Sequence, residues 1–279
     1  MSGEHKIDYL QYSTNEMSVS YGEPIEVERS PNKFYKYCTV YEGGVRVLVG
    51  NPNSDKSLVV MSGKACDKFR NSIVDIISKE IEGGAKFSRI DLCVTSEDGT
   101  LLSKFNECLV AGDVVSRRYD PRTSKRIVDI NNRVETTYVG SMKKRGRNGI
   151  FRAYNKGLEM GLGFDLSRFE LECKGDIAHN NTKRIRDGVG IGNMIRKAVD
   201  LPKEVWWTDL MGESKPLPKY VQDSIKDEDD PDRVWKWLCK QVAPALGKEL
   251  AIDEKTGVSK ANFDRFNEMV EKSYRRELK

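Results

Sequence analysis

Three short stretches of the chain place reactive side chains on one side of an extended backbone. In Phe87-Ser88-Arg89-Ile90-Asp91-Leu92-Cys93-Val94, Ile90, Leu92 and Val94 share one face and Arg89 and Asp91 the other. Ile150-Phe151-Arg152-Ala153-Tyr154-Asn155-Lys156 sets Arg152, Tyr154 and Lys156 opposite Phe151 and Ala153. Ser167-Arg168-Phe169-Glu170-Leu171-Glu172-Cys173 sets Arg168, Glu170 and Glu172 opposite Phe169, Leu171 and Cys173. Brought into one sheet, these stretches hold the parts for attack on a phosphodiester. A tyrosine oxygen serves as nucleophile, carboxylates hold a hard divalent cation, and guanidinium and ammonium groups stabilise the charge that develops on phosphate. The same alternation also describes a half-solvated sheet whose outer face is simply charged. Tyr138, on another alternating stretch, is a second candidate nucleophile or a cross-strand packing residue.

Other chemistries find fewer parts. Only His5 and His179 are present, with no HxH or HExxH, which argues against histidine-rich metal chemistry and a Ser-His-Asp triad. Six scattered cysteines, with no CxxC pair, read as small core hydrophobes rather than as a zinc ribbon or a disulfide framework. Gly188-Val189-Gly190-Ile191-Gly192 lacks the GK[ST] of a P-loop and reads as a helix-flanking loop.

Charge is unevenly distributed. The net charge is only +4, yet residues 104–156 hold thirteen basic residues against five acidic ones, a local charge of +8. Such a block marks a polyanion partner. Arg117 and Arg118, followed by Lys143, Lys144, Arg145 and Arg147 just before the Tyr154 stretch, are the candidate phosphate contacts. Residues 223–232 are acidic instead. At 38% hydrophobic residues the chain is too apolar for disorder, and no apolar run reaches membrane-spanning length. Met1–Leu10 has no apolar signal-peptide core, so the expected location is cytoplasmic.

The elements that must position these residues follow from periodicity. Residues 45–49 and 57–61 form a hairpin about Asn51-Pro52-Asn53-Ser54. Helices are expected over 65–81 and 101–110, and strands over 87–94, 126–130, 135–139, 149–156 and 167–174. The fold class is α+β: a mostly antiparallel sheet with helices on one face, in two related halves, followed by a helical C-terminal region. The boundary falls at 200, with 1–200 as the sheet domain that holds the reactive stretches and 201–279 as a mostly helical region for DNA binding or oligomerisation. In that region 234–242 and 259–278 read as helices, and Trp206, Trp207, Trp235 and Trp237 as core or interface residues.

Several ordered blocks carry a resemblance. Phe87-Ser88-Arg89-Ile90-Asp91-Leu92, Thr137-Tyr138-Val139-Gly140-Ser141, Phe151-Arg152-Ala153-Tyr154-Asn155-Lys156-Gly157-Leu158-Glu159 and Arg168-Phe169-Glu170-Leu171-Glu172 resemble the rolling-circle replication initiation factors of the pT181-like type and related phage and integrative-element relaxases. Ile7-Asp8-Tyr9-Leu10 and Met61-Ser62-Gly63-Lys64-Ala65-Cys66 fit as well, so the resemblance spans about residues 5–200. It implies an enzyme that nicks one strand at an origin and later rejoins it. Tyr154 is then the nucleophile, with Arg89, Arg152 and Lys156 as the basic groups around it. Asp91, Glu170 and Glu172 are the implied ligands of Mg²⁺ or Mn²⁺. Two departures from the family pattern stand out: Thr95 occupies the place of a second acid, and the connection from Gly140 to Arg152 is long.

The expected partner is origin DNA, single-stranded or supercoiled, in a bacterial or phage-infected bacterial cell. A host or element-encoded helicase and a second copy of the chain are further admissible partners. The rival reading is a non-catalytic nucleic-acid-binding protein with the same fold.

Overall fold

The structure is a computed structural model, and it describes residues 3–129, 134–145 and 149–218, with Asp264 and Glu268 as isolated helical positions. Apart from those two positions, the helices expected at 234–242 and 259–278, with Trp235 and Trp237, lie outside the described residues. The chain divides into two compact units, Met1–Lys219 and Tyr220–Lys279. The first unit holds the sheet and every candidate site residue.

Ten strands form one sheet: β1 (Glu4–Thr14), β2 (Pro24–Arg29), β3 (Tyr37–Tyr41), β4 (Arg46–Val49), β5 (Ser57–Met61), β6 (Lys86–Ser96), β7 (Lys125–Asp129), β8 (Val134–Val139), β9 (Ile150–Asn155) and β10 (Ser167–Lys174). Their order is β2-β3-β4-β5-β1-β6-β10-β9-β8-β7, and every neighbouring pair is antiparallel. That order contains two related halves. In each, a long first strand of eleven residues, β1 or β6, lies at the centre of the sheet. The chain then runs to the outer edge and returns strand by strand to pair with it. Two helices follow each return, α1 (Gly63–Lys68) and α2 (Ile73–Glu82) after β5, and α5 (Gly175–Arg186) and α6 (Ile191–Ala198) after β10. The halves meet where β1 pairs with β6.

Further α-helices among the described residues are α3 (Leu101–Ala111), α4 (Lys156–Glu159) and α7 (Val205–Met211). The expected 65–81 helix is broken at residues 69–72. The Phe69 N–H closes α1 on the Ala65 carbonyl, the Ser72 hydroxyl donates to the Phe69 carbonyl at 3.2 Å, and the Phe69 ring meets Tyr21 edge-on at 5.7 Å. A side-chain hydrogen bond to the backbone and an aromatic contact thus hold a break in a continuous apolar stripe. The Gly188–Gly190 loop does flank a helix, α6.

The core lies between one sheet face and these helices. Ile90, Leu92, Val94, Phe151, Ala153, Phe169 and Leu171 are all buried there. Two bulges tune the central strands. Ile7 faces Leu92 and Tyr9 faces Asp91, so Asp8 is the extra residue on β1; Gln11 faces Arg89 and Tyr12 faces Phe87, so Ser88 is the extra residue on β6. Hence Ile7 and Leu10, like Phe87 and Ile90, enter the same core although they stand three apart. Trp207 is fully buried, 5.9 Å from Phe105 and 5.2 Å from Phe169 between ring centres. The chain just beyond the expected boundary at 200 therefore contributes to the core of the sheet unit.

Candidate active site on the open sheet face

On the face away from this core, register aligns the side chains in rows. Glu172 lies between Asp91 and Ile150, Glu170 between Cys93 and Arg152, and Arg168 between Thr95 and Tyr154. All three stretches singled out from alternation, β6, β9 and β10, are adjacent and in this register. Each reactive side chain alternates with a core residue, which is why the core fixes the position of the site.

Tyr154 is 5% exposed, and its hydroxyl donates to Glu170 Oε2 at 2.8 Å. The other Glu170 oxygen accepts from Arg152. Burial, followed by the neighbouring Glu170 charge, pushes the Tyr154 phenol well above its ordinary range, while Arg168 and Arg152 oppose the shift. The Lys156 ammonium stands 6.0 Å from the ring centre and pairs with Glu159. Tyr138 lies opposite Arg152 across the β8–β9 pair.

One row further, Arg89 grips Asp91 with two hydrogen bonds, 3.0 and 2.6 Å, and reaches Glu172 at 3.2 Å. Arg145 grips Glu172 with two more, 3.1 and 2.8 Å, and Lys174 adds an ion pair at 3.2 Å. The two carboxylates answer burial differently. Burial raises Asp91 to about 6 in spite of Arg89. Burial also acts to raise Glu172, but the Arg145 hydrogen bond and the charges of Arg89, Arg145 and Lys174 outweigh it and hold the group at about 2. Gly149 makes the Arg145 contact possible. Its φ is +74°, and a Cβ there would sit 1.9 Å from the Glu172 carbonyl oxygen, so only glycine lets the loop return this close to β10.

The three carboxylates expected as one metal shell are thus divided. Glu170 is turned to Tyr154 and Arg152, whereas Asp91 and Glu172 face each other and share Arg89. Among the described residues, no group of three or more His, Cys, Asp or Glu side chains has gathered in metal-holding geometry. The hard oxygen donors that do converge on one cationic group are Asp91 and Glu172.

Of the basic candidates, Arg145 joins the site directly, and Lys143 is exposed on the Met142–Lys144 turn that also holds Lys144. Arg147 lies outside the described residues. Arg117 is exposed, but Arg118 turns inward, its guanidinium 3.5 Å from the buried Cys173 sulfur on the helix-covered side.

Some contributors had no role assigned from sequence: Arg168, although it lies on the alternating face of β10, and Asp8 and Tyr9, which no alternation marked. Arg168, 4% exposed, donates to Thr95 Oγ1 at 3.0 Å. Its Nη1 lies 3.3 Å from Asp8 as an ion pair but makes no hydrogen bond. Asp8 is held in turn by Lys6 at 3.4 Å. Tyr9 lays its ring on Arg89, 4.1 Å from guanidinium to ring centre. Asp8 and Tyr9 sit at the β1 bulge, so the first half of the sheet completes a site built on the second. Their signal was the Ile7-Asp8-Tyr9-Leu10 block.

An antiparallel α+β unit whose open face carries a tyrosine, paired carboxylates and guanidiniums defines a class suited to phosphodiester chemistry. The chain belongs to the replication initiation factor family, whose sequence model matches residues 85–263. It is a replication initiator, and initiation entails binding DNA. Its fold is similar to that of a rolling circle replication initiator protein from Geobacillus stearothermophilus, with a TM-score of 0.61 and 18% identity, covering 77% of this chain and 97% of that one. No curated protein matches the chain. No described helix is long and apolar enough to cross a membrane.

Proposed function

We propose that this initiator acts in rolling-circle replication by nicking and rejoining one DNA strand at its origin, with Tyr154 as nucleophile. The observation that carries the reading is the 2.8 Å hydrogen bond from the Tyr154 hydroxyl to Glu170, between Arg152 and Arg168. Glu170 accepts the phenol proton as the Tyr154 oxygen forms its bond to phosphorus. The bond from phosphorus to the 3′ oxygen breaks, leaving a 5′-phosphotyrosyl link and, after protonation, a free 3′ hydroxyl. Reversal restores the phosphodiester without ATP, because the phosphotyrosine retains the energy of the bond.

The basic groups serve the charge that builds on phosphate. Arg152 leaves Glu170 for a non-bridging oxygen, which uncovers Tyr154, and Arg168 Nη1 supports the phenolate. Asp91 and Glu172 are the residues suited to hold Mg²⁺ or Mn²⁺; such an ion, when bound, supplies Lewis-acid polarisation of the phosphate. Lys143 and Arg145 hold the flanking backbone.

The test is incubation of the full chain with supercoiled DNA containing the element's own origin, followed by denaturing electrophoresis. A covalent protein–DNA adduct is expected. A chain that binds this DNA tightly and leaves it intact, with Mg²⁺ or Mn²⁺ supplied, is a binding protein alone.

A further inference from the structure

The open face of the sheet continues into the first half with a different character. Leu58 lies opposite Ser13, and Val60 opposite Gln11, which itself faces Arg89, so these residues share the face of the site. Where the second half carries Glu170, Glu172 and Arg152, the first carries Leu58, Val60 and Leu48. With Cys38 they form a small apolar cluster. Tyr35, from the loop joining β2 to β3, packs against it. That anchor fixes a loop whose own backbone is well bonded. The Phe34 and Tyr35 N–H groups donate to Asn32 at 3.0 Å each, and the Lys36 N–H donates to the Val49 carbonyl at 3.0 Å.

The anchored loop presents aromatic rings with cations over them. Phe34 is 57% exposed with the Lys33 ammonium 5.1 Å from its ring centre, and Tyr37 is 47% exposed with Lys36 at 5.1 Å. Residues 29–37 hold Arg29, Lys33 and Lys36 and no acid; Glu26 and Glu28 lie further back on β2. Strand direction places this loop at the same end of the sheet as Arg145, Lys174 and Lys86, since β2, β4, β8 and β10 end there and β3, β5, β6 and β9 begin there. Cations therefore recur along one sheet end from Arg145 and Lys174, beside Glu172, to an exposed phenylalanine, while Tyr154, near the far end of β9, stands four residues or ~14 Å back from that end. An exposed, preordered ring among cations fits a base whose face is free, whereas paired bases hide their faces in the stack.

We propose that the β2–β3 loop is a stacking site for an unpaired DNA strand that runs from Tyr154 over the open face to the Arg145 and Lys174 end of the sheet and follows that end to the loop. The proposal rests on Tyr154 marking the nicking centre. β9 and β3 are six strand spacings apart, roughly 29 Å at ~4.8 Å each, and Tyr154 stands ~14 Å back along β9, so the two places are about 32 Å apart. A strand keeping a rise of ~3.4 Å per nucleotide needs about nine or ten nucleotides to span that distance. A short oligonucleotide cannot occupy both places, and a long one can.

The experiment measures affinity of the full chain for oligothymidylates of 6 and 20 nucleotides by fluorescence anisotropy, and reads the ratio of the two affinities. In Phe34→Ala that ratio should fall about five- to tenfold, the effect of losing one stacked base. Lys33→Ser with Lys36→Ser should flatten the salt dependence of 20-mer binding by about one unit of slope. Tyr35 is kept in both variants because it anchors the loop. A ratio unchanged in Phe34→Ala, together with an unchanged slope in the lysine pair, overturns the proposal. So does an equal loss of affinity for a blunt 20-base-pair duplex, because a duplex offers no free base faces. Tyr154→Phe separates the two readings: if the covalent adduct persists in that variant, the nucleophile is misassigned, while the length ratio still reports on the loop.

Discussion

Replacing Asp91 by Asn should remove a defined part of the protein's pH dependence. Burial raises this carboxyl from 3.8 to about 6, so the folded state favours its protonated form. The sign is that of a group with a raised folded pKa: the stability it contributes is present below 3.8 and is lost as pH rises through 6. Linkage over that window gives a loss of roughly 1 kcal/mol between pH 5 and 7. Glu172 has the opposite sign, since its folded value of about 2 lies below 4.5, and its contribution disappears only as pH falls below that range. Urea unfolding of wild type and Asp91→Asn at pH 5, 6, 7 and 8 isolates the effect, because every other titrating group is common to both. Wild type should lose about 1 kcal/mol more than the variant from pH 5 to 7. Parallel curves for the two proteins would refute the argument and place Asp91 in contact with solvent.

Arg168→Gln should lower strand cleavage about 100-fold, the scale of one lost transition-state donor, while leaving DNA affinity near wild type; a cleavage rate within threefold of wild type removes Arg168 from the chemistry. Replacing Lys143, Lys144, Arg145 and Arg147 together by Ala should flatten log affinity against log salt by about two to three units if most of them touch phosphate. Specific and random DNA should weaken alike, since backbone contacts position the protein without reading bases. Excess chelator should stop cleavage, with Mg²⁺ or Mn²⁺ restoring it, and full nicking in chelator contradicts the assignment of Asp91 and Glu172.

The reactive face was legible because β6, β9 and β10 are buried on one side, and a period of two then forces Asp91, Tyr154 and Glu170 to the other. The antiparallel sheet with helices on one face followed from the same alternation. What escaped detection depends on geometry that has no period. The bulge at Asp8 breaks the alternation of β1, so Asp8 and Tyr9 gave no sign that one would pair with Arg168 and the other stack on Arg89. β2 reads Pro-Ile-Glu-Val-Glu-Arg and is exposed nearly throughout, which leaves little apolar pattern to mark an edge strand. The divided carboxylates were equally hidden. Which guanidinium meets which acid depends on cross-strand register and on the return of the loop at Gly149, and neither is written in spacing along one strand.

The central claim is that the Tyr154 oxygen, with its proton passed to Glu170, joins to DNA. The direct measurement is peptide mapping by mass spectrometry of the adduct formed on origin DNA by wild type, Tyr154→Phe and Tyr138→Phe. The account predicts a nucleotide on the peptide bearing Tyr154 in wild type and in Tyr138→Phe, and no adduct in Tyr154→Phe, which still binds the DNA. An adduct that survives in Tyr154→Phe and maps to Tyr138 or any other residue contradicts it.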